Sequence, residues 1–268
     1  MPADPDLRAL RDLAVELAVG AGKILIEHLA GARIDVDTKS SSTDMVTEVD
    51  RASEAFITSA LAQRRPDDGL LGEEGTQHDG TSGVRWVIDP LDGTTNYLYG
   101  YPAFSVSIAA EVDGETAVGV VRDPLHDETF SAVRGDGAFC NDRQLRVGGP
   151  PTLATALVAT GFAYKPEARA RQAAVLTHVL PRVRDIRRAG SAALDLCSLA
   201  HGRVDCYYER GMGPWDFGAG AFIAQEAGAW VGDLEGGPPS SAIVVGAPPH
   251  LAEAFVDLLR DAEAGLAP

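Results

Sequence analysis

One stretch, residues 84–97, constrains the fold and the chemistry of this chain more than any other. An apolar run ends at Asp89, and a second carboxylate, Asp92, follows across Pro90. The pattern predicts a buried strand that carries two acids to its carboxyl end, which is the edge where open sheets place ligand sites. Pro90 fixes its own φ and favours extended geometry at Asp89, so the acids should lie on a stiff turn.

The residues that follow the second acid are suited to bind an anion. Gly93 allows a backbone amide to approach a ligand closely. If Thr94 and Thr95 begin a helix, their N–H groups point towards that anion. Two acids for a cation beside free amides for a phosphate form the layout of metal-assisted phosphate chemistry.

Composition excludes several classes of function. The chain has 268 residues, which suits one large domain or two closely packed ones. A net charge of −16 argues against nonspecific nucleic-acid binding, and it means that local cations must meet any substrate phosphate. The three cysteines show no metal-ligand spacing and the six histidines occur in unrelated contexts, so we expect buried reduced thiols and structural or surface imidazoles. With no signal peptide and no apolar run of ~18 residues, we expect a cytoplasmic protein without a membrane partner.

Periodicity and turn signals predict an antiparallel meander followed by alternating strands and helices. Helices are predicted over residues 6–29, 47–63, 167–179, 190–201, 215–227 and 248–261. Strands are predicted over residues 70–71, 104–112, 115–122, 127–133, 143–147, 155–160, 183–187, 204–208 and 241–246, with polar loops at 39–44 and 76–83. Gly31 should end the first helix, and Thr47 with Asp50 should cap the second. The pair Pro150-Pro151 divides the chain into an α+β half (1–150) and an α/β half (151–268), which together should form one compact unit.

Glu73 and Glu74 follow the short strand at residues 70–71, and their meaning depends on where that strand lies. Alone, such a Gly-Glu-Glu-Gly turn is more often a solvated loop. If the strand neighbours the one ending at Asp89, three or four carboxylates converge, and a hard divalent cation is needed to relieve their repulsion. Oxygen-only ligands favour Mg²⁺ or Mn²⁺ over zinc.

Three further segments carry candidate residues with competing explanations. Asp216 either complements the first turn of a helix or lies half-buried in a cleft, where it needs a partner. Glu209 either reaches the same cleft or pairs with Arg210 at the surface. Residues 190–192 either bind an anion or only start a helix, and the basic pair at 187–188 either meets phosphate or is solvated.

Six stretches together resemble the inositol monophosphatases of the lithium-sensitive, Mg²⁺-dependent phosphatase superfamily. They are residues 44–47 with Asp50, residues 72–74, residues 89–96, residues 135–141, residues 188–193, and residues 215–216 with the helix through Gly228. They occur in family order and span nearly the whole chain. The resemblance implies a five-layer αβαβα sandwich of the inositol monophosphatase and fructose-1,6-bisphosphatase type, usually a homodimer, that hydrolyses small phosphate monoesters.

The resemblance also implies a role for each matched residue. The implied ligands of two or three Mg²⁺ ions, or of substituting Mn²⁺, are Glu73, Asp89, the carbonyl of Leu91, Asp92 and Asp216. The implied catalytic residues are Asp50 and Thr94, which orient the attacking water, and Glu73, which holds a third, weaker ion with water. The implied substrate contacts are Gly93, Thr94, Arg188, Gly190, Ser191, Ala192 and Glu209.

The substrate is left open between three esters and one alternative of another class. Glu209 after Tyr207-Tyr208 resembles the inositol phosphatase branch, so inositol 1-phosphate is the first expectation. Histidinol-phosphate and fructose-1,6-bisphosphate phosphatases share nearly all of the metal ligands, and Glu209 could equally pair with a substrate ammonium. The non-enzyme alternative is a regulatory or partner-binding protein that keeps the metal site.

Overall fold

The structure is a computed structural model that describes residues 5–29, 37–38, 45–46, 48–150 and 152–265. Its helices are α1 (Leu7–His28), α2 (Glu48–Arg64), α3 (Thr94–Tyr99), α4 (Pro166–Val179), α5 (Ala192–His201), α6 (Pro214–Glu226) and α7 (Pro249–Ala264). Its strands are β1 (Asp37–Thr38), β2 (Met45–Val46), β3 (Gly69–Gly72), β4 (Gln77–His78), β5 (Val84–Asp92), β6 (Ser105–Val112), β7 (Glu115–Asp123), β8 (Glu128–Val133), β9 (Gly137–Cys140), β10 (Arg143–Gln144), β11 (Leu157–Thr160), β12 (Asp185–Arg187), β13 (Cys206–Glu209), β14 (Trp230–Gly232) and β15 (Val244–Ala247). Among these helices, none has the length and apolar character needed to span a membrane.

Two large sheets and three helical layers make up the fold. The larger sheet has the strand order β10-β9-β8-β7-β6-β5-β3-β4, and the smaller has the order β12-β11-β13-β15-β14. Helices α1 and α2 cover one face of the larger sheet, α5 and α6 lie between the two sheets, and α4 and α7 cover the far face of the smaller sheet. The five-layer αβαβα sandwich is therefore confirmed.

The central helical layer brings the two sheets together, because its helices carry small residues where they meet. A Cβ at Gly220 of α6 would lie 2.9 Å from the Cβ of Leu196 on α5. Ala193, Ala219 and Ala224 are buried in the same layer. This close packing positions the first turns of α5 and α6 against the edge of the larger sheet where the predicted acids lie.

Most of the predicted elements are confirmed. The six predicted helices form with ends within about one turn of the expected positions, and β6, β7 and β8 form the antiparallel meander. A short helix also begins at Thr94, as the sequence suggested.

Three predictions of local structure were wrong. The two acids do not lie on a turn as expected, because strand β5 continues through Pro90 to Asp92 and both acids keep partners on β6 across a bulge at the proline. The loop predicted at residues 76–83 contains β4, and the strand predicted over 143–147 is only two residues long. Strands β9 and β14 were not predicted, because pairing with neighbouring strands rather than a local pattern creates such short segments.

Some predictions fall outside the described residues. These are the loop at residues 39–44, Gly31 as the end of the first helix, and the cap at Thr47. Residue 151 of the proline pair is outside them as well. The division of the chain into two halves near residue 150 stays a prediction.

Candidate active site

The two strands that precede the predicted acids are parallel neighbours in the larger sheet. Gly72 of β3 pairs with Ile88 of β5, and the amide of Glu73 donates to the carbonyl of Ile88 at 3.1 Å. Glu73 and Asp89 therefore leave the same edge of the sheet. The carboxylates were predicted to converge if these two strands are neighbours, and the structure meets that condition.

Helix α6 brings a third carboxylate to this edge. Asp216, in the first turn of α6, accepts a hydrogen bond of 2.6 Å from the amide of Gly213, so it caps the helix. Carboxylate oxygens of Glu73, Asp89 and Asp216 nevertheless all lie within 4.8 Å of one another. Both explanations offered for Asp216 therefore hold. Glu74 is not part of this group, and its Oε2 lies 4.0 Å from Nε of Arg51.

The electrostatics of this cluster are those of like charges confined together. Burial and the neighbouring carboxylates raise the pKa of Glu73 to about 8 and the pKa of Asp216 to about 7. The same two causes hold the pKa of Asp89 well above its usual range. Oδ1 of Asp89 accepts from the amide of Leu91 at 2.9 Å, while the buried Oδ2 has no hydrogen-bond partner among the described residues. A buried oxygen without a donor, beside two further acids, fits a hard divalent cation.

Asp92 anchors the start of helix α5. Its Oδ2 accepts the hydroxyl of Ser191 at 2.5 Å and the amide of Ala193 at 2.8 Å, and its Oδ1 accepts the amide of Ala192 at 3.3 Å. Burial raises the pKa of Asp92 to about 6, although these hydrogen bonds oppose the shift. Ser191 is fully buried, so its hydroxyl faces Asp92 rather than open solvent.

The beginning of helix α3 joins the acid cluster to helix α2. Thr94 Oγ1 lies 3.1 Å from the carbonyl of Leu91 and 3.4 Å from Oδ2 of Asp50. Asp50 is buried in the first turn of α2, and burial followed by the proximity of Glu73 raises its pKa well above the usual range. The structure therefore brings together the two side chains that were predicted to orient the attacking water.

A cleft with a volume of about 500 Å³ opens over these residues. The predicted site residues that line it are Glu73, Asp89, Leu91, Asp92, Gly93, Thr94, Arg188, Gly190, Ala192, Glu209 and Asp216. The other two predicted residues, Asp50 and Ser191, are buried behind the cleft wall. They contact it through Thr94 and Asp92 respectively.

The remainder of the cleft lining includes the acid Glu209 and three cationic side chains, Lys165, Arg188 and Arg210. Burial raises the pKa of Glu209 to about 7, and the carboxylate accepts the hydroxyl of Tyr207 at 3.0 Å. Arg210 pairs with Glu263 at 2.7 Å, so the surface pair of Glu209 with Arg210 does not form. Arg188 lines the cleft and makes no ion pair with any residue that the structure describes.

Sequence reasoning missed Glu54, which shapes the cleft without lining it. Glu54 is buried on α2, and its carboxylate accepts the amide of Glu74 at 3.0 Å and the hydroxyl of Thr76 at 2.5 Å. A Cβ at Gly72 would lie 2.6 Å from Oε2 of Glu54, so a side chain at this position would require the carboxylate to move. The available signal was helical spacing, since Glu54 follows Asp50 by four residues on the same helix face.

Asn96 is the last residue of the matched stretch 89–96, and no role was predicted for it. Its side-chain amide donates to the carbonyl of Ala103 at 2.6 Å and to that of Ala189 at 2.8 Å. The second bond fixes the loop in which Gly190 adopts a φ of 92°. Asn96 therefore joins α3 to the loop that leads into α5.

A family model agrees with this geometry. The model of the inositol monophosphatase family matches residues 6–264. The chain belongs to the inositol monophosphatase family. Inositol-1-monophosphatase SuhB of Mycobacterium tuberculosis is 46% identical over 237 residues, which cover 84% of this chain and 81% of that protein. The inositol-1-monophosphatase of Rhizobium meliloti is 41% identical over 257 residues, which cover 94% and 96%.

Solved structures of the inositol monophosphatase family superpose on this fold. Extragenic suppressor protein SuhB from Bartonella henselae matches with a TM-score of 0.89 at 36% identity, covering 94% of this chain and 98% of that one. SuhB of M. tuberculosis matches with a TM-score of 0.84 at 42% identity, covering 97% and 98%. A relative from Pasteurella multocida, 41% identical over 95% of this chain and 97% of its own, carries the name Nus factor SuhB.

Proposed function

We propose that the protein is a Mg²⁺-dependent phosphomonoesterase that hydrolyses inositol 1-phosphate to inositol and phosphate. The observation that carries this proposal is the gathering of Glu73, Asp89 and Asp216 within 4.8 Å of one another. Like charges repel at this separation, and packing alone gives no reason to place three carboxylates together. A divalent cation accounts for them.

The carboxylates fall into two overlapping sets of metal ligands. Glu73, Asp89 and the carbonyl of Leu91 would hold one Mg²⁺ ion, and Asp89 with Asp92 and Asp216 would hold a second. Oδ2 of Asp92 is occupied by Ser191, but Oδ1 accepts a single bond of 3.3 Å from Ala192 and remains available to a cation. When bound, the ions would activate the attacking water and neutralise charge on the phosphate. Glu73 would also hold a third, weaker ion, and Mn²⁺ accepts the same oxygen ligands.

Thr94 and Asp50 would orient the attacking water and receive its proton. Thr94 Oγ1 lies within reach of Asp50, so the hydroxyl can pass a proton from the cleft to the carboxylate behind it. The pKa of Asp50 is raised by burial and by Glu73, which makes this carboxylate a stronger base than a solvated one. Because Asp50 is buried, it acts through Thr94 rather than by direct contact with substrate.

The phosphate and the polyol would contact different residues of the cleft lining. The amides of Gly93 and Thr94 face the phosphate, and the guanidinium of Arg188 supplies the local cation that this acidic chain needs. Glu209 accepts hydroxyl hydrogen bonds from the polyol, and the backbone at Gly190 and Ala192 completes the wall. The substrate contact predicted for Ser191 is limited to its backbone, because the hydroxyl is used by Asp92.

The direct test is a comparison of kcat/KM on three esters at saturating Mg²⁺. Inositol 1-phosphate should be preferred over histidinol phosphate and fructose 1,6-bisphosphate. The Asp89→Asn variant is the matched negative control, because it keeps the side-chain shape while removing a shared ligand, and its rate should fall by roughly a thousand-fold or more. A preference for either other ester would reassign the substrate within the same chemistry.

A second candidate is a partner-binding protein that keeps the metal site. The specific finding in its favour is the name Nus factor SuhB, which is carried by a relative 41% identical to this chain. Mg²⁺ binding without Mg²⁺-dependent phosphate release from any of the three esters would favour it. The homodimer, the lithium sensitivity and the cytoplasmic location stay predictions.

A further inference from the structure

Three side chains of the types that bind transition metals meet outside the catalytic cleft. Glu128 of β8, Cys140 of β9 and His201 of α5 offer a carboxylate oxygen, a thiol sulphur and an imidazole nitrogen, and these atoms all lie within 4.8 Å of one another. None of the three is among the described residues that line the cleft. No spacing motif signals this cluster, since its members are far apart along the chain.

Strand register explains why the three side chains meet. Phe130 of β8 pairs directly with Cys140 of β9, so both side chains point to the same face of the larger sheet. Glu128 precedes Phe130 by two residues and shares that face. His201 is the last residue of α5, and its ring meets that of Phe130 edge-on with centroids 6.4 Å apart.

The location favours an added positive charge once Arg203 has turned away from it. The carboxyl end of α5 carries the negative end of the helix dipole, and Glu128 adds a full charge beside it. Arg203 supplies the balancing cation, since its guanidinium pairs with both oxygens of Glu128, one at 2.7 Å, and lies 5.9 Å from the centre of the Phe130 ring. The Arg203 side chain is 43% exposed, so it can swing into solvent and leave the carboxylate to another cation.

The protonation states suit a soft cation. Burial, followed by the nearby Arg203, lowers the pKa of His201, so the imidazole is neutral and offers a lone pair. Cys140 is buried, and burial raises the pKa of its thiol, so a metal must displace the proton. Cysteine, histidine and carboxylate are the donors that zinc takes, whereas Mg²⁺ prefers oxygen alone.

We propose that Glu128, Cys140 and His201 form a binding site for a zinc-like divalent cation, with water in the fourth position. Zinc–ligand distances of about 2.0–2.3 Å place the donors of a tetrahedral site roughly 3.5 Å apart. Because the donor atoms lie within 4.8 Å of one another, a contraction of at most about 1.3 Å reaches that geometry, and the partly exposed Glu128 and His201 can supply it by rotamer changes. Arg203 occupies the carboxylate when the metal is absent.

Cobalt(II) is the probe for the test, because it takes the same donors and shows a near-ultraviolet charge-transfer band when a thiolate is a ligand. The full-length protein is titrated with Co²⁺ at saturating Mg²⁺, which protects the oxygen ligands of the cleft, and Zn²⁺ is then added. We expect one equivalent to produce the band and Zn²⁺ to remove it. The Cys140→Ser variant should lose the band, and His201→Asn should weaken binding by more than about tenfold.

Two further variants keep the test decisive. Arg203→Met should tighten Co²⁺ binding, because it releases the carboxylate of Glu128 from its ion pair. His178→Asn, at an exposed histidine on α4, should change nothing. Absence of the band from the wild-type protein, a band that survives Cys140→Ser, or weaker binding in Arg203→Met would each overturn the site. No substrate is used, so the result is independent of the phosphatase proposal.

Discussion

The hydroxyl of Ser191 donates a 2.5 Å hydrogen bond to Oδ2 of Asp92, although 99 residues separate the two in sequence. Asp92 ends β5 in the larger sheet, and Ser191 caps the helix that packs against the smaller sheet. This bond therefore connects the larger sheet to the central helical layer behind the cleft. It leaves Oδ1 of Asp92 as the oxygen that can face a cation.

Replacing Ser191 should identify its role as positioning rather than substrate contact. Ser191→Ala removes the hydroxyl donor from a buried carboxylate and should lower the free energy of unfolding by about 1–3 kcal/mol. Because Asp92 is then free to turn, Mg²⁺ affinity should fall, and kcat/KM should fall by a similar factor on all three esters. Ser198→Ala, at a half-buried serine on the same helix, is the matched control. A loss confined to one ester would instead show that the hydroxyl contacts substrate.

We expect that Gly93 cannot be replaced, because its backbone conformation is strained for other residues and a side chain would have no room. Its φ is 91°, and a Cβ there would lie 2.9 Å from the carbonyl oxygen of Ala103. Gly100 also has a positive φ, of 65°, but a Cβ added to it would meet no atom of the described residues within 4 Å. Gly100→Ala should therefore cost only the conformational strain of about 1–2 kcal/mol and keep activity.

Gly93→Ala should cost more than Gly100→Ala in urea unfolding, and it should also lose phosphatase activity, because the adjacent amides must move. Equal losses of stability in the two variants would show that the contact with Ala103 relaxes easily. Full activity in Gly93→Ala would remove this glycine from the phosphate site.

Stability should depend on pH and Mg²⁺ together. Burial raises the folded-state pKa of Glu73 to about 8 and that of Asp216 to about 7, above the ordinary values of about 4 for unfolded carboxyls. A carboxyl with a raised pKa stabilises the fold below its unfolded pKa, and this contribution is lost as pH rises through the folded value. Between about pH 4 and pH 8 the metal-free protein should therefore become less stable.

Mg²⁺ removes the repulsion that causes this loss, so the increase in Tm that it produces should be larger at pH 8 than at pH 5.5. At a hundred times the dissociation constant, binding adds about 2.7 kcal/mol, which is several degrees in Tm. Thermal melts with and without Mg²⁺ at the two pH values measure the difference. An equal increase at both would disconnect these acids from the cation.

Replacing Glu209 should show whether the substrate is a neutral polyol or carries a positive charge. Glu209→Gln keeps the shape and the hydrogen-bonding capacity but removes the charge, so kcat/KM on inositol 1-phosphate should fall by about tenfold. Histidinol phosphate, whose ammonium would lose an ion pair, should suffer a larger loss. Equal losses on the two esters would mean that Glu209 does not contact the alcohol portion.

The local signals in the sequence were sufficient for most of the elements, and they made the convergence of the acids conditional on two strands being neighbours. Strands were predicted from the apolar run before Asp89 and from the short run before Glu73. In the structure the two strands pair in parallel, which places both acids at one edge of the sheet. The extent of β5 was not readable, because the strand continues through Pro90 only by pairing with Ser105 on the neighbouring strand.

Contacts between residues far apart in sequence could not be predicted either, because they also depend on how distant segments pack. Nothing near Ser191 in the sequence shows that its hydroxyl is buried against Asp92. Similarly, the turn after β3 depends on Glu54, whose carboxylate is fixed by contacts 20 and 22 residues away. The meeting of Cys140 with His201 depends on strand register and on the end of a helix, neither of which leaves a spacing motif.

The most direct measurement is the anomalous scattering of manganese in crystals grown or soaked in millimolar Mn²⁺. The proposed two-metal site predicts one peak between Glu73, Asp89 and the carbonyl of Leu91, and a second between Asp89, Oδ1 of Asp92 and Asp216. Both peaks should vanish in Asp89→Asn crystals under the same conditions. A wild-type map without density among these carboxylates, or with the side chains turned apart, would contradict it.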